Sequence, residues 1–521
     1  MVDKWSLPQS PTASFVDQLK GSRPQLDLDS DPGLEALPDE SLFANIDEVV
    51  DRIRKAMYNN EPLVIFGHDD PDGITSTYIL YQFFNSCGYQ RHNYYIPNRN
   101  TTSHGIQDDF VEYVRREGYK LVITVDNGIA SYGGVEKLNA MGCDTLIVDH
   151  HLIQPDQLPR AFAVLNPQLP QCAYPFKALA GVGVVLMLIR YLGRLLDHKI
   201  PASAYFWTAV GSIADKMPMI GLNRLLVRHV IKHWSEVNDP SIEFLLRNFN
   251  RVSSDMDVFN FIVYASRVIA NGREDGGQHM GMRFLLQMGD EKAVLFQTLE
   301  VQKKQWEGEL NRVFGFLDTI TAGFDGNAFI YYDDEDVIPY NLLGTASTYV
   351  VSNFGIPTIM LKHHNGNMVC EGRCGDGFNM VEAFTRCKDH LLQFGGHTRA
   401  AGFTMDAASY DAFLECYNDY LSQNQQREEI APLHQIDVLA RPEDLSLANW
   451  NYIQQLLPFG MQNPEPLLML QSTTLLSLQQ HYQIEYNSVN IPSSKELDII
   501  FHWKSPGSIR VMDYKLRPPG N

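Results

Sequence analysis

Four short apolar runs rich in β-branched residues recur between positions 62 and 165, and each stops at a polar cluster. They are PLVIF at 62–66, KLVITV at 120–125, TLIV at 145–148 and AFAVL at 161–165. Runs without polar interruption read as strands buried on both faces. Helical stretches lie between several of them, one starting near Thr75. Strands alternating with helices predict a mostly parallel sheet and an α/β fold. Ahead of the first run, Ile46, Val49, Val50, Ile53 and Met57 fall on one helical face.

The ends of the runs carry the chemistry. His68, Asp70 and Asp72 follow the first, Asp126 the second, and Asp149, His150 and His151 the third. The carboxyl ends of parallel strands open on one crevice, so these groups are predicted to converge. So many carboxyl and imidazole groups together repel, or are costly to desolvate, without a cation. Asp and His donors without Cys suit Mn2+ or Mg2+ better than structural zinc. Two ions sharing a carboxylate would activate a water and hold a phosphate for in-line displacement. Each piece alone has a plainer reading: DPDG and DNG are turn sequences, and paired histidines occur in solvated loops. Their joint occurrence at successive strand ends favours the metal.

The rest of the chain supports several domains, as its 521 residues suggest. The stretch 178–290 reads as mainly helical, and 291–318 as one long helix around Trp306. A second α/β block starts at Phe329 and ends near Asn424. After a polar linker at 425–435, a third block carries β-like runs at 467–470 and 497–503 and reads as a small barrel. Residues 1–40, rich in Pro, Ser and Asp, read as a loosely ordered arm.

No apolar run reaches membrane-spanning length, and the N-terminus lacks the pattern of a secretory signal. The expectation is a cytoplasmic protein without a membrane partner. The seven cysteines are scattered with no CxxC pair, so they are expected to be reduced thiols. A net charge of −20 argues against non-specific coating of nucleic acid. It leaves room for a nuclease, whose metal site needs carboxylates.

HDDPDG, VDNG and VDHH, in this order, resemble the DHH phosphoesterase superfamily. IPNR at 96–99, NPQLP and YPFKALAGVGV within 166–184, and GSIADKMPMIGLNR at 211–224 resemble its RecJ-type single-stranded-DNA exonucleases more narrowly. SRVIANGR at 266–273, GGHTRAAGF at 395–403 and PFGMQNPEP at 458–466 extend the resemblance from about residue 36 to at least 470.

The resemblance implies a DHH domain at 41–290, a connector helix at 291–320 and a DHH-associated α/β domain at 321–424. An OB-like, nucleic-acid-binding barrel would occupy 425–521. It implies that His68, Asp70, Asp72, Asp126, His150 and Asp215 ligate two ions, Mn2+ or Mg2+, with Asp126 bridging. Asp149 would orient the neighbouring histidines or approach a metal, and His151 would stand at the edge of the site, touching either metal or phosphate; both count with Asp126 and His150 as catalytic. Asp215 is alternatively a helix cap. Arg99, Arg267, Arg373, Gly395, Gly396 and His397 would contact substrate phosphates. Position 68 departs from the RecJ pattern, which has Asp there, and resembles oligoribonuclease and pyrophosphatase relatives. Cys374 stands where the family has serine. In the third block Tyr482, Tyr486, Phe501, His502 and Trp503 are candidates for base stacking, with core packing the plainer role.

The activity implied is metal-dependent 5′→3′ hydrolysis of single-stranded DNA to mononucleotides, in DNA repair and recombination. A phosphodiesterase for short oligonucleotides or cyclic dinucleotides is the alternative that His68 supports. A non-catalytic scaffold would have lost ligands, and every expected ligand position holds a competent residue. The resemblance implies a monomer, with a single-stranded-DNA-binding protein as candidate partner.

Overall fold

The computed structural model describes residues 5–28, 30, 32–98, 101, 105–153, 158–249, 251–324, 326–364, 366–375, 377–424, 434–486, 492 and 494–517. The chain divides into two compact units. One comprises Leu19–Lys303 with Pro442–Pro466; the other comprises Met1–Gln18, Lys304–Arg441 and Leu467–Asn521.

The first unit is built on a five-stranded parallel sheet. Its strands are β1 (Leu63–Phe66), β2 (His92–Tyr95), β3 (Leu121–Val125), β4 (Asp144–Val148) and β5 (Ala163–Leu165), in the order 2-1-3-4-5. β1 and β3 are buried along their whole length, as continuous apolar runs require in a sheet covered on both faces. The order reverses between β1 and β3, which opens a crevice at their carboxyl ends. Strand β2 was not legible as a strand. Its sequence, HNYY, is half polar because it lies at the sheet edge and only its Tyr94 and Tyr95 end is buried.

Helices cover the sheet: α1 (Ile46–Tyr58), α2 (Pro71–Ser86), α3 (Asp108–Glu117), α4 (Tyr132–Ala140), α5 (Gly181–Leu195), α6 (Ala202–Ala214) and α7 (Gly221–Lys232), with three shorter or later ones before residue 290. Helix α1 buries Ile46, Val49, Val50 and Ile53 on the expected face. Helix α2 starts at Pro71, four residues before the sequence reading. Asp70 caps it by accepting from the Gly73 N–H at 3.0 Å, and proline fills the first helical position. The 16-residue helix is buried through Ile74, Tyr78, Ile79 and Phe83 and packs on α5 and α6. Helix α8 (Asp290–Ile320) matches the long helix read at 291–318.

The second unit holds two five-stranded sheets. One orders Gln393–His397, Ala400–Met405, Asn367–Arg373, Thr358–His364 and Phe329–Asp333, with only the last pair parallel. The other orders Val438–Ala440, Leu467–Thr473, Leu497–Ser505, Ser508–Leu516 and Gln483–Tyr486. Among the described residues no pairing joins its two outer strands, so this sheet is open. Phe501 and Trp503 are buried in it, whereas Tyr486 is 45% exposed.

Two expectations are corrected. Part of the N-terminal stretch is built into the structure. Trp5–Ser6 pairs in parallel with His434–Gln435, and Trp5 donates its indole N–H to Asp513. The Gln18 amide accepts from the Leu439 N–H. Polar composition hid these anchors because each is only one or two residues long. Second, Cys387 and Cys416 form a disulfide, with Cα atoms 5.8 Å apart, not two reduced thiols. Their meeting across 29 residues is a tertiary fact that spacing does not encode. Cys143, Cys172, Cys370 and Cys374 are buried thiols outside this disulfide.

Candidate metal centre

Most of the site residues follow the ends of strands β1, β3 and β4, whereas Asp215 follows helix α6. Asp126 follows β3 directly, and its N–H still pairs with the Val148 carbonyl of β4 at 3.0 Å. Its backbone then turns into the left-handed region (φ 58°), a conformation that Asp tolerates better than most residues. The DNG turn and the site carboxylate are thus one structure. The same holds for Asp70: one carboxylate oxygen caps α2, and the other lies 2.9 Å from His68 Nδ1.

Two clusters meet at Asp126, which belongs to the first and touches the second through His150, and a further group joins Asp126 with Asp149, His150 and His151. Asp126 Oδ2 lies 3.6 Å from His68 Nδ1, in the group His68, Asp70 and Asp126. Its Oδ1 lies 3.1 Å from His150 Nε2. His150 Nε2 is in turn 3.7 Å from Asp215 Oδ2 and 3.9 Å from Asp72 Oδ2, in the group Asp72, His150 and Asp215. Within each group the potential ligand atoms lie within 4.8 Å of one another. Asp72 is further held by the first N–H groups of α5, from Gly181 at 2.7 Å and Val182 at 2.8 Å. That is a favourable place for a carboxylate. Asp215 is the residue after α6, so the cap position and the cluster position coincide.

Asp149 has a different character. It is fully buried and accepts from the Ile129 N–H (3.1 Å), the His150 N–H (2.7 Å), the His151 N–H (3.2 Å) and His151 Nδ1 (2.7 Å). It therefore ties the β3 loop to the β4 loop and fixes the His151 ring. Against the upward pull of burial, the His151 hydrogen bond and the two histidines hold its carboxyl down at about 2. The same bond raises His151, which is half exposed, to about 9.

The electrostatics of the clusters run the other way. Burial and then the carboxylates of Asp215 and Asp70 push Asp72 well above the usual range. Burial and then Asp72 and Asp70 do the same to Asp126. Burial and then Asp70 raise Asp215 to about 7. Burial and then His151 lower His150 to about 4. His150 Nε2 and Asp215 Oδ2 are buried without a hydrogen bond. Desolvated carboxylates interleaved with neutral imidazole, lacking sulfur, fit hard or borderline divalent cations.

One partner pair escaped the sequence reading. Asp69, fully buried inside HDDPDG, accepts from Arg273 Nε at 2.7 Å. Arg273 ends the SRVIANGR stretch; the two positions are 204 residues apart, and only the fold joins them.

The other candidate residues are not brought into this cluster by any described contact. Arg267 is exposed near the end of its helix. Arg373 bonds Glu371 at 2.9 Å and the Gly372 carbonyl at 2.8 Å. Gly395 and Gly396 lie in a hairpin opposite Gly402 and Ala401. Cys374 Sγ faces the carbonyls of Phe378 and Thr398, each at 3.3 Å. Arg99 and the His397 side chain lie outside the described residues.

Asp149→Ala is expected to cost roughly 3–5 kcal/mol of stability, because it strips the acceptor from buried donors. Denaturant unfolding in chelator measures this; an unchanged midpoint would mean that the tie between the two loops is dispensable.

The open parallel sheet carries acid–imidazole groups at its switch point, and within it residues 62–209 match the DHH family, N-terminal domain. Over most of its length the chain is similar to RecJ proteins. It is 28% identical over 441 residues to the single-stranded-DNA-specific exonuclease RecJ of Bacillus subtilis, covering 82% of this chain and 54% of that protein. The chain thus spans about half the length of that relative. The RecJ of Escherichia coli is 26% identical over 457 residues, covering 82% of this chain and 77% of that protein. RecJ of Thermus thermophilus in complex with Mn2+ has the same fold, with a TM-score of 0.72 at 21% identity, covering 99% of this chain and 80% of that one. An exonuclease RecJ bound to manganese superposes with a TM-score of 0.62 at 23% identity, covering 75% and 98%. The RecJ-type resemblance read from the sequence is borne out.

Proposed function

We propose that this chain is a cytoplasmic, divalent-metal-dependent exonuclease that degrades single-stranded DNA 5′→3′ to mononucleotides in DNA repair and recombination. The observation that carries the reading is Asp126, whose two oxygens face two different acid–imidazole clusters. The names of the relatives and the Mn2+ and Mg2+ complexes of the related fold support it.

His68, Asp70 and Asp126 would hold one Mn2+ or Mg2+; Asp72, His150 and Asp215, with Asp126, would hold a second. When bound, such ions lower the pKa of water and neutralise charge building on a phosphate. The chain's own residues do the rest. Asp149 orients His151 by accepting from Nδ1, which leaves Nε2 for a metal or a substrate phosphate. The α5 N-terminus keeps Asp72 in place. Arg99, Arg267, Arg373, Gly395, Gly396 and His397 are proposed to bind the strand's phosphates. In this scheme 321–424 is the DHH-associated domain and 425–521 the OB-like module that holds single strands. A monomer working with a single-stranded-DNA-binding protein completes it.

The test uses 5′-phosphorylated single-stranded DNA of ~40 nucleotides, longer than one strand-binding module covers, labelled at either end. The expected result is early mononucleotide release from the 5′ end with Mn2+, abolished by chelator. Cleavage confined to two- to four-nucleotide substrates would replace this reading with the short-oligonucleotide one favoured by His68.

A further inference from the structure

Two stretches of the chain, far apart in sequence, meet in space beside the centre. The first, GSIADKMPMIGLNR, carries Asp215; the second, PFGMQNPEP, lies more than two hundred residues later. Residues 442–466 leave the second unit's stretch of chain and pack as part of the first unit. We infer that Arg224, by clasping this returning segment, positions the Asp215 loop and so sets the affinity of one of the two ions. The inference rests on the reading of Asp215 as an ion ligand given above.

The contacts form a continuous path. After Asp215 the chain reverses through Lys216, a non-glycine residue in the left-handed region (φ 56°), and the Met217 N–H closes back on Ser212. The described hydrogen bonds of that short reversal all run back to residues 211–213. Contacts from outside it hold the loop that follows. The Met219 N–H donates to the Met461 carbonyl at 2.8 Å, and Pro218 bridges to Met461 as in a parallel strand pair. Buried Asn223 donates to the Pro218 carbonyl at 3.1 Å and the Ala178 carbonyl at 2.6 Å.

Arg224 anchors the returning segment. It is 8% exposed, and its guanidinium donates to the Leu456 carbonyl at 2.7 Å, the Gln455 carbonyl at 2.9 Å and the Leu457 carbonyl. Arginine alone offers so many donors in one rigid fork. Fully buried Asn463 closes the loop by donating to the carbonyls of Leu456 (2.8 Å) and Pro458 (2.7 Å). Gly460 lets Met219 approach: a Cβ there would stand 2.7 Å from Met219 Cγ. The described bonds of Arg224 go to the backbone carbonyls of residues 455–457, so it acts on Asp215 as a positioning residue.

The test is Mn2+ binding by calorimetry on the full chain, with melting temperature in chelator as a control. Asp215→Asn is expected to lose one ion. Arg224→Ala and Gly460→Ala are expected to weaken that same ion about 10-fold or more, as outer supports of ligands do, and to leave the other ion at wild-type affinity. A merely structural role would lower the melting temperature without singling out one ion. If Arg224→Ala does not fold, Gly460→Ala decides alone. Wild-type affinity for both ions in the clasp variants, with one ion lost in Asp215→Asn, overturns the inference and leaves the proposed function standing. Wild-type affinity for both ions in Asp215→Asn overturns the ligand reading itself, and the inference with it.

Discussion

Asp126→Asn is expected to lose both ions and at least ~10³-fold of nuclease activity while keeping the fold. Asparagine has the same shape and also tolerates the left-handed backbone that position 126 adopts. What it removes is charge at the point where the two clusters join, 3.1 Å from His150 on one side and 3.6 Å from His68 on the other. The sign of the stability change distinguishes this account from simple damage. In the absence of ions the Asp126 carboxylate is disfavoured, first by burial and then by Asp72. Removing its charge therefore leaves the melting temperature in chelator unchanged or higher, while the rise on adding Mn2+ disappears. Calorimetry and melting curves with and without Mn2+ check both halves. Loss of a single ion, with the other bound normally, would mean that Asp126 serves one cluster only.

The convergence of the candidate site was largely legible because all of its residues but Asp215 follow strands that hydrophobic runs announce. PLVIF, KLVITV and TLIV are too apolar for anything but buried strands, and the groups after them share a crevice by topology. Sequence reading set turn against ligand at Asp70 and Asp126, and helix cap against ligand at Asp215. In the structure the two readings are compatible, since Asp70 caps a helix, Asp126 makes a tight turn and Asp215 ends α6 while each belongs to a group of potential ligand atoms. What stayed hidden depends on distant pairs. The Asp69–Arg273 ion pair, the Cys387–Cys416 disulfide and the clasp of Arg224 on residues 455–457 join positions 204, 29 and more than 230 residues apart. Local periodicity carries no trace of them. Strand β2 was lost for the opposite reason, an edge position that relaxes the apolar requirement.

Gly181→Ala tests how tightly the fold and the centre are fitted together. In a helix this exchange ordinarily stabilises, by about 1 kcal/mol, through lower chain entropy and better propensity. At the first position of α5 the outcome reverses. A Cβ there would lie 2.6 Å from Asp126 Cβ and 2.8 Å from its Oδ1, closer than packed atoms approach. The α5 N-terminus cannot simply retreat, because the N–H groups of Gly181 and Val182 both hold Asp72. Either Asp126 swings away from the cluster pair, or α5 withdraws and releases Asp72. Both movements displace a carboxylate by a good fraction of an ångström, a misplacement worth about 10²-fold in rate. Mn2+ affinity is expected to fall with the activity. Because the helix itself prefers alanine, the melting temperature in chelator is expected to fall much less than activity does. A variant with wild-type rate and ion affinity would mean that the crevice gives way at no cost, and that its close packing does not define the centre.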